Sequence, residues 1–220
     1  MNSYTAPLFE SNFAQQPPEQ RLCGGAVLLR GFALAHERAL LETLDDVIHA
    51  APWRHMITPG GLRMSVAMSN CGELGWISDR RGYRYSPDDP ESGKPWPKMP
   101  RAFAQLARTA ATQAGFENFT PDACLINRYE PGAKLSLHQD RDERDFDQPI
   151  VSVSLGLPAV FLFGGLRRAD KQMRVPLGHG DVVVWGGAAR MRYHGVLPLK
   201  DGAHPVLGAC RINLTFRKAG

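Results

Sequence analysis

The chain has 220 residues, 43% hydrophobic and 22% charged, enough for one compact unit over 21–220 with one sizeable core. No apolar run reaches the roughly 18 residues of a membrane-spanning helix, and Met1 to Gln20 lacks the basic-then-apolar pattern of a signal peptide, so a cytoplasmic monomer away from membranes is expected. Cys23, Cys71, Cys124 and Cys210 are scattered without a Cys-x-x-Cys pair, which argues against a zinc ribbon or a disulfide framework, and a net charge of +4 is compatible with a polyanionic partner without requiring one.

In chain order, residues 1–20 read as a flexible lead-in. Ala26 to Leu29 fits a short strand, and Leu40, Leu41, Leu44, Val47 and Ile48 recur at helical spacing, predicting an amphipathic helix over Leu34 to Ala50. The stretch 53–96 is rich in Gly, Arg, Ser, Pro and aromatics. It reads as a flexible cover too polar and too broken for core, with Met64, Val66 and Met68 alternating as a hairpin arm. A second helix is expected from Pro100 to Gly115, with Phe103, Leu106, Ala107 and Ala110 as its apolar stripe. From Ala123 the texture changes to short alternating runs broken by turn residues: 123–129, 150–157, 160–163, 173–177, 181–185, 192–197 and 210–217. Many short strands at regular spacing predict an α+β, mainly β protein. Its expected core is a jelly roll over 123–217, buttressed by the two N-terminal helices.

The chemistry concentrates in His138-x-Asp140 and His194. Two histidines and a carboxylate on one face of a metal, with positions left open, are the ligand set of non-haem Fe(II) oxygenases. On an extended segment His138 and Asp140 project to the same side. In the last strand Cys210, Ile212, Leu214 and Phe216 form an apolar face, while Arg211, Asn213, Thr215 and Arg217 form a polar one; Asn127 and Tyr129 share a face of an earlier strand. The plain alternative is a half-exposed strand whose arginines are satisfied by water. Three polar faces directed at one interior favour a polar guest instead, and an arginine fork with asparagine and tyrosine partners suits a dicarboxylate. Iron with open positions beside such a clamp is what a 2-oxoglutarate-dependent dioxygenase requires.

Asn127-Arg128-Tyr129-x-Pro131-Gly132, His138-x-Asp140, His194-Gly195 and Arg211-x-Asn213-Leu214-Thr215-Phe216-Arg217 together resemble the AlkB family of alkylation-repair dioxygenases. Thr58-Pro59-Gly60-Gly61, Ser154-Leu155-Gly156, Phe163-Gly164-Gly165 and Gly180-Asp181-Val182-Val183-Val184-Trp185 agree with its bacterial members, so the resemblance spans roughly Gly24 to Arg217. It implies a double-stranded β-helix in which His138, Asp140 and His194 hold Fe(II), and Asn127, Tyr129, Arg211, Asn213, Thr215 and Arg217 hold 2-oxoglutarate. Dioxygen is the other co-substrate. The implied reaction is oxidative N-demethylation of 1-methyladenine- and 3-methylcytosine-type bases in single- or double-stranded DNA, with RNA a further substrate. It yields succinate, CO2 and formaldehyde.

By the same resemblance 53–96 is a nucleotide-recognition lid. Trp76 is then a stacking platform, Tyr83, Arg84 and Tyr85 are phosphate and sugar contacts, Asp142 is a partner for a cationic base and Arg168 a further polar contact. On residues alone, Arg141 to Asp145 reads as a solvated charged loop and Trp76 as a hydrophobic anchor. Three other functions stay open at this level: a 2-oxoglutarate oxygenase acting on a small molecule or protein side chain, a non-catalytic lesion-binding module, and a zinc hydrolase of cupin type.

Overall fold

The computed structural model describes residues 17–220; residues 1–16 of the lead-in expected over 1–20 lie outside the described residues. A seven-stranded antiparallel sheet runs in the order β1 (Glu19–Cys23), β2 (Ala26–Leu29), β11 (Val182–Trp185), β8 (Ile150–Gly156), β13 (Arg211–Arg217), β6 (Ala123–Tyr129) and β3 (Ala67–Gly72). A four-stranded sheet of β10 (Met173–Leu177), β9 (Ala159–Phe163), β12 (His194–Val196) and β7 (Leu135–His138) packs against it. A hairpin of β4 (Gly75–Asp79) and β5 (Gly82–Ser86) forms a separate two-stranded sheet. The architecture is a jelly roll, as the strand spacing predicts.

Period-two alternation gives the large sheet two different faces. Outward, Ile212, Leu214, Phe216, Val151, Val153, Cys124 and Ile126 pack under helices α1 (Glu37–Ala50) and α2 (Arg101–Gln113). The helices contribute Leu40, Leu44 and Val47, spaced four and three residues apart, and Phe103, Leu106, Ala107 and Ala110. Phe103 meets Phe216 edge-on at 6.0 Å, a geometry that adds about 0.5–1.5 kcal/mol beyond burial. Inward, Leu28, Val183, Trp185 and Tyr129 meet Phe161, Phe163, Val175, Leu177 and Val196 of the smaller sheet. The second helix starts one residue later than its proline suggests: Pro100 caps it in an extended conformation (ψ 144°). Its end is chemically determined. Gly115, at φ +86°, donates to Thr112 O while Phe116 donates to Ala111 O, pairing two carbonyls the last turn would leave free.

Three sequence expectations change. Glu19 and Gln20 belong to β1 rather than to a lead-in, a polar edge strand that carries no alternation to read. The large sheet therefore begins well before residue 123. Residues 67–72 of the expected cover are core sheet: β3 pairs with β6 from Ala67↔Arg128 to Gly72↔Ala123, and Ser69 and Asn70 are buried. Both polar side chains are spent on backbone, Ser69 Oγ on Ala51 O at 2.6 Å and the Asn70 amide on both N–H and C=O of Trp76 at 3.0 Å. The rest of the cover is pinned rather than loose, by the buried Arg54–Asp89 pair and by Trp96 beneath the hairpin.

A candidate metal centre and its pocket

His138 ends β7 and His194 opens β12, and the two strands pair with these residues directly opposite each other. Their rings lie 4.4 Å apart, and Asp140 Oδ1 lies 3.5 Å from His138 Nε2 and 3.8 Å from His194 Nε2. Among the described residues this is the one cluster of at least three such side chains whose ligand atoms lie within 4.8 Å of one another. Each Nδ1 faces a backbone carbonyl two residues back, Ser136 O at 2.9 Å and Arg192 O at 3.0 Å. A proton held there leaves the Nε2 lone pairs free to coordinate, the usual outer-shell arrangement of a metal-bound histidine. Burial and the neighbouring His138 pull the His194 pKa down to about 4, so its ring is neutral. Burial works against protonation of His138 too, but the adjacent Asp140 carboxylate outweighs it and raises its pKa above the ordinary value.

Asp140 is held from behind. Burial favours its neutral form, yet Arg217 and then His194 outweigh that and keep its pKa well below the carboxylate range. Arg217 donates Nε and Nη2 to Asp140 Oδ2 at 2.9 and 2.6 Å, leaving Oδ1 toward the histidines. Two imidazoles and one ionised carboxylate suit Fe(II), with metal binding displacing the proton that Asp140 favours on His138.

The cluster opens on a cavity of about 710 Å³ between the sheets. Asn127, Tyr129, Arg211, Asn213, Thr215 and Arg217 all line it and all are buried, so the polar face of β13 is turned to the interior rather than to the outer surface. The register explains the convergence: Arg211 pairs with Tyr129 and Asn213 with Asn127 across the β13–β6 ladder. Asn213 is committed to Ser152 Oγ at 2.8 Å and Val153 O at 2.9 Å, and its Oδ1 accepts from Thr215 at 2.9 Å. Arg211 is 1% exposed, lies 5.0 Å from the Tyr129 ring and donates Nη2 to Ser154 Oγ at 2.8 Å. Its Nε and Nη1 have no hydrogen-bond partner among the described residues, nor has Asn127 Oδ1. A buried guanidinium in that state is costly unless an anion completes it, and burial already lowers its pKa. The donor set therefore fits a carboxylate co-substrate beside the metal.

The expected substrate residues divide. Trp76, Tyr83, Asp142 and Arg168 line the cavity mouth. Trp76 and Tyr83 stack with centroids 5.5 Å apart, and Trp76 Nε1 donates to Asp142 at 2.8 Å. Arg168 lies 6.0 Å from the Tyr193 ring. Arg84 and Tyr85 are elsewhere. Arg84 is forked onto Asp79 at 2.7 and 3.0 Å, which with the Arg81 N–H holds that carboxyl well below its usual range. Tyr85 turns inward and gives its hydroxyl to Glu143 at 2.6 Å. Sequence reading missed Glu143 and Arg190, both buried behind the metal ligands, and Phe161 and Trp185, whose rings lie 6.0 and 5.0 Å from His194. The all-apolar run Ala159–Phe163 marks a strand without showing which face Phe161 takes, and for Glu143 and Arg190 there was no signal.

Comparison with known proteins agrees with this geometry. Residues 25–217 match the 2OG-Fe(II) oxygenase superfamily. The chain is 60% identical over 205 residues to the alpha-ketoglutarate-dependent dioxygenase AlkB of Escherichia coli (strain K12), covering 93% of this chain and 95% of that one. It is 35% identical over 133 residues to the nucleic acid dioxygenase ALKBH1 of Mus musculus, covering 59% of this chain and 34% of that one. The solved structure of OsALKBH1 superposes with a TM-score of 0.81 at 30% identity, covering 91% of this chain and all of that one. With this sequence, this jelly roll and a His-Asp-His centre beside a strand of buried polar side chains, the chain belongs to the AlkB family of Fe(II)- and 2-oxoglutarate-dependent dioxygenases.

Proposed function

We propose that this protein oxidatively removes methyl groups from the ring nitrogens of damaged nucleobases in nucleic acid. The lesions are of the 1-methyladenine and 3-methylcytosine type, carried on single- or double-stranded DNA, with RNA as a further substrate. Bound Fe(II) supplies the oxidising chemistry: with O2 it couples decarboxylation of 2-oxoglutarate to succinate and CO2 with oxygen insertion into an N-methyl C–H bond, and the hemiaminal product loses formaldehyde. His138, Asp140 and His194 hold the metal.

The carrying observation is one cavity with two different ends. At its closed end Arg211, with two unsatisfied nitrogens, takes one carboxylate of 2-oxoglutarate, while Arg217 serves the other beside Asp140 and Asn127 supplies a polar contact. Asn213 and Thr215 fix the strand around them. At its open end the Trp76–Tyr83 pair offers aromatic faces to a base, and Asp142 accepts from an exocyclic amine while facing the positive charge these lesions carry. The parts of 53–96 on either side of β3 then act as a recognition lid. Exposed Arg80, Lys171 and Arg174 carry the phosphate backbone, whereas Arg81, Arg84 and Arg167 are tied to Asp79 and Asp170.

The test is product mass analysis on DNA and RNA oligomers bearing defined methylated bases, with Fe(II), ascorbate and 2-oxoglutarate. The expected result is loss of the methyl group with one formaldehyde and one succinate per repaired base. No mass change and no formaldehyde on any oligomer would overturn the substrate assignment.

A further inference from the structure

Glu143 lies in a run of charges that reads as a solvated loop, yet its side chain is 2% exposed and gathers three groups. Oε2 accepts from Arg190 Nη2 at 3.0 Å; Oε1 accepts the Tyr85 hydroxyl at 2.6 Å and lies 3.3 Å from Arg217 Nε. Both arginines then reach Asp140. Arg217 holds its carboxylate, and Arg190 donates Nη1 to its main-chain carbonyl at 2.7 Å. The metal-ligand aspartate is thus gripped at side chain and backbone by two buried cations that share one counter-ion. Two guanidinium charges against two carboxylate charges cancel, which leaves the divalent cation facing no net excess of positive charge from this layer.

We propose that Glu143 is a positioning residue for the metal centre. It acts through Arg217 and Arg190 on the orientation and electron-donating capacity of Asp140, with Tyr85 as its tether from β5. Without the Glu143 charge, Arg217 and Arg190 are left with Asp140 as their only counter-ion in this layer. They draw its carboxylate away from the histidines and add one uncompensated positive charge beside the metal. The hydroxyl of Tyr85 ends inside this layer because Tyr85 pairs directly with Trp76 across the hairpin, with the indole toward the cavity mouth. This inference rests on Asp140 being a metal ligand.

Cobalt(II) is the probe, titrated into the full-length protein without co-substrate. Affinity is measured by calorimetry, and the ligand field is read from visible absorption, which a purely structural defect far from the metal does not move. Wild type, Asp140→Ala, Glu143→Gln and Tyr85→Phe are compared. Glu143→Gln keeps the shape and removes the charge, so roughly a tenfold or greater loss of affinity with a shifted spectrum is expected, within the 10–100-fold range of outer-shell partners. Tyr85→Phe deletes one hydroxyl and stays foldable, with a smaller loss of roughly 2–5-fold in the same direction, in line with one hydrogen bond. If Asp140→Ala binds cobalt like wild type, the metal assignment itself falls. If Asp140→Ala loses the metal while the folded Glu143→Gln and Tyr85→Phe proteins keep wild-type affinity and spectrum, the role of Glu143 is overturned. Should Glu143→Gln fail to fold, Tyr85→Phe decides alone.

Discussion

His138 and His194 face each other in register across the β7–β12 ladder, with ring centroids 4.4 Å apart. One ladder therefore places both imidazoles, and each ring is turned by the carbonyl two residues before it. Replacing either by alanine removes a ligand while leaving the backbone pairing intact. The expectation is a loss of Fe(II) affinity beyond the 10–100-fold typical of outer-shell changes, with a near-native melting temperature. Metal content after dialysis, read beside thermal unfolding, checks it; retention of stoichiometric iron by His194→Ala would contradict the assignment.

Arg211 separates co-substrate binding from metal binding. Lysine in its place keeps a charge and loses the planar fork. Arg211→Lys is expected to weaken 2-oxoglutarate by about 10–100-fold, the equivalent of charged hydrogen bonds worth roughly 1.5–3 kcal/mol, with unchanged iron affinity. Anaerobic titration of the iron-loaded protein measures both. Equal affinity in the variant would mean that the anion sits elsewhere.

Trp76 separates a nucleobase substrate from a small one. Trp76→Ala removes about 1–3 kcal/mol of stacking and should cut turnover of a methylated oligonucleotide far more than uncoupled 2-oxoglutarate consumption. Trp76→Phe keeps an aromatic face but loses the bond from Nε1 to Asp142, so it should retain most of the turnover. Parallel kinetics of succinate and formaldehyde release distinguish these outcomes, and equal damage to both in Trp76→Ala would remove the tryptophan from substrate recognition.

Acid should loosen the segment around the Arg54–Asp89 pair. Burial favours its neutral form, but Arg54, the Glu91 N–H and the Ser92 hydroxyl prevail and lower its pKa. Since the folded value lies below the unfolded one, near 3.9, the unfolded chain binds the proton first. The stabilisation is therefore complete above about pH 5 and is lost as pH falls through the depressed value. Asp89→Asn is expected to cost about 3 kcal/mol at pH 7, as for a broken buried pair, and progressively less toward pH 3. Urea unfolding at the two pH values checks this; a pH-independent difference would show that the Asp89 charge is not what holds Arg54.

Where side-chain period matched backbone period, the sequence was legible. Arg211, Asn213, Thr215 and Arg217 alternate with Ile212, Leu214 and Phe216, and the structure sends the two sets to opposite faces. Ala26–Leu29 and the strands from 123 onward appear nearly as read. What stayed hidden are polar residues whose partners lie far off in sequence. Ser69 and Asn70 look unfit for a core until Ala51 O and the Trp76 backbone satisfy them, and Glu143 looks solvated until Arg190, 47 residues on, meets it. The pairing of Arg84 was hidden for the opposite reason: its partner Asp79 is only five residues away, and composition counts charges without pairing them.

β13 follows its two neighbours in sequence yet sits between them in the sheet. Without its last strand the sheet has a gap between β6 and β8, and Asp140 lacks the guanidinium that holds it. Closing the hydrophobic core and completing the metal centre therefore depend on the same seven residues, so a chain cut before Arg211 loses both together.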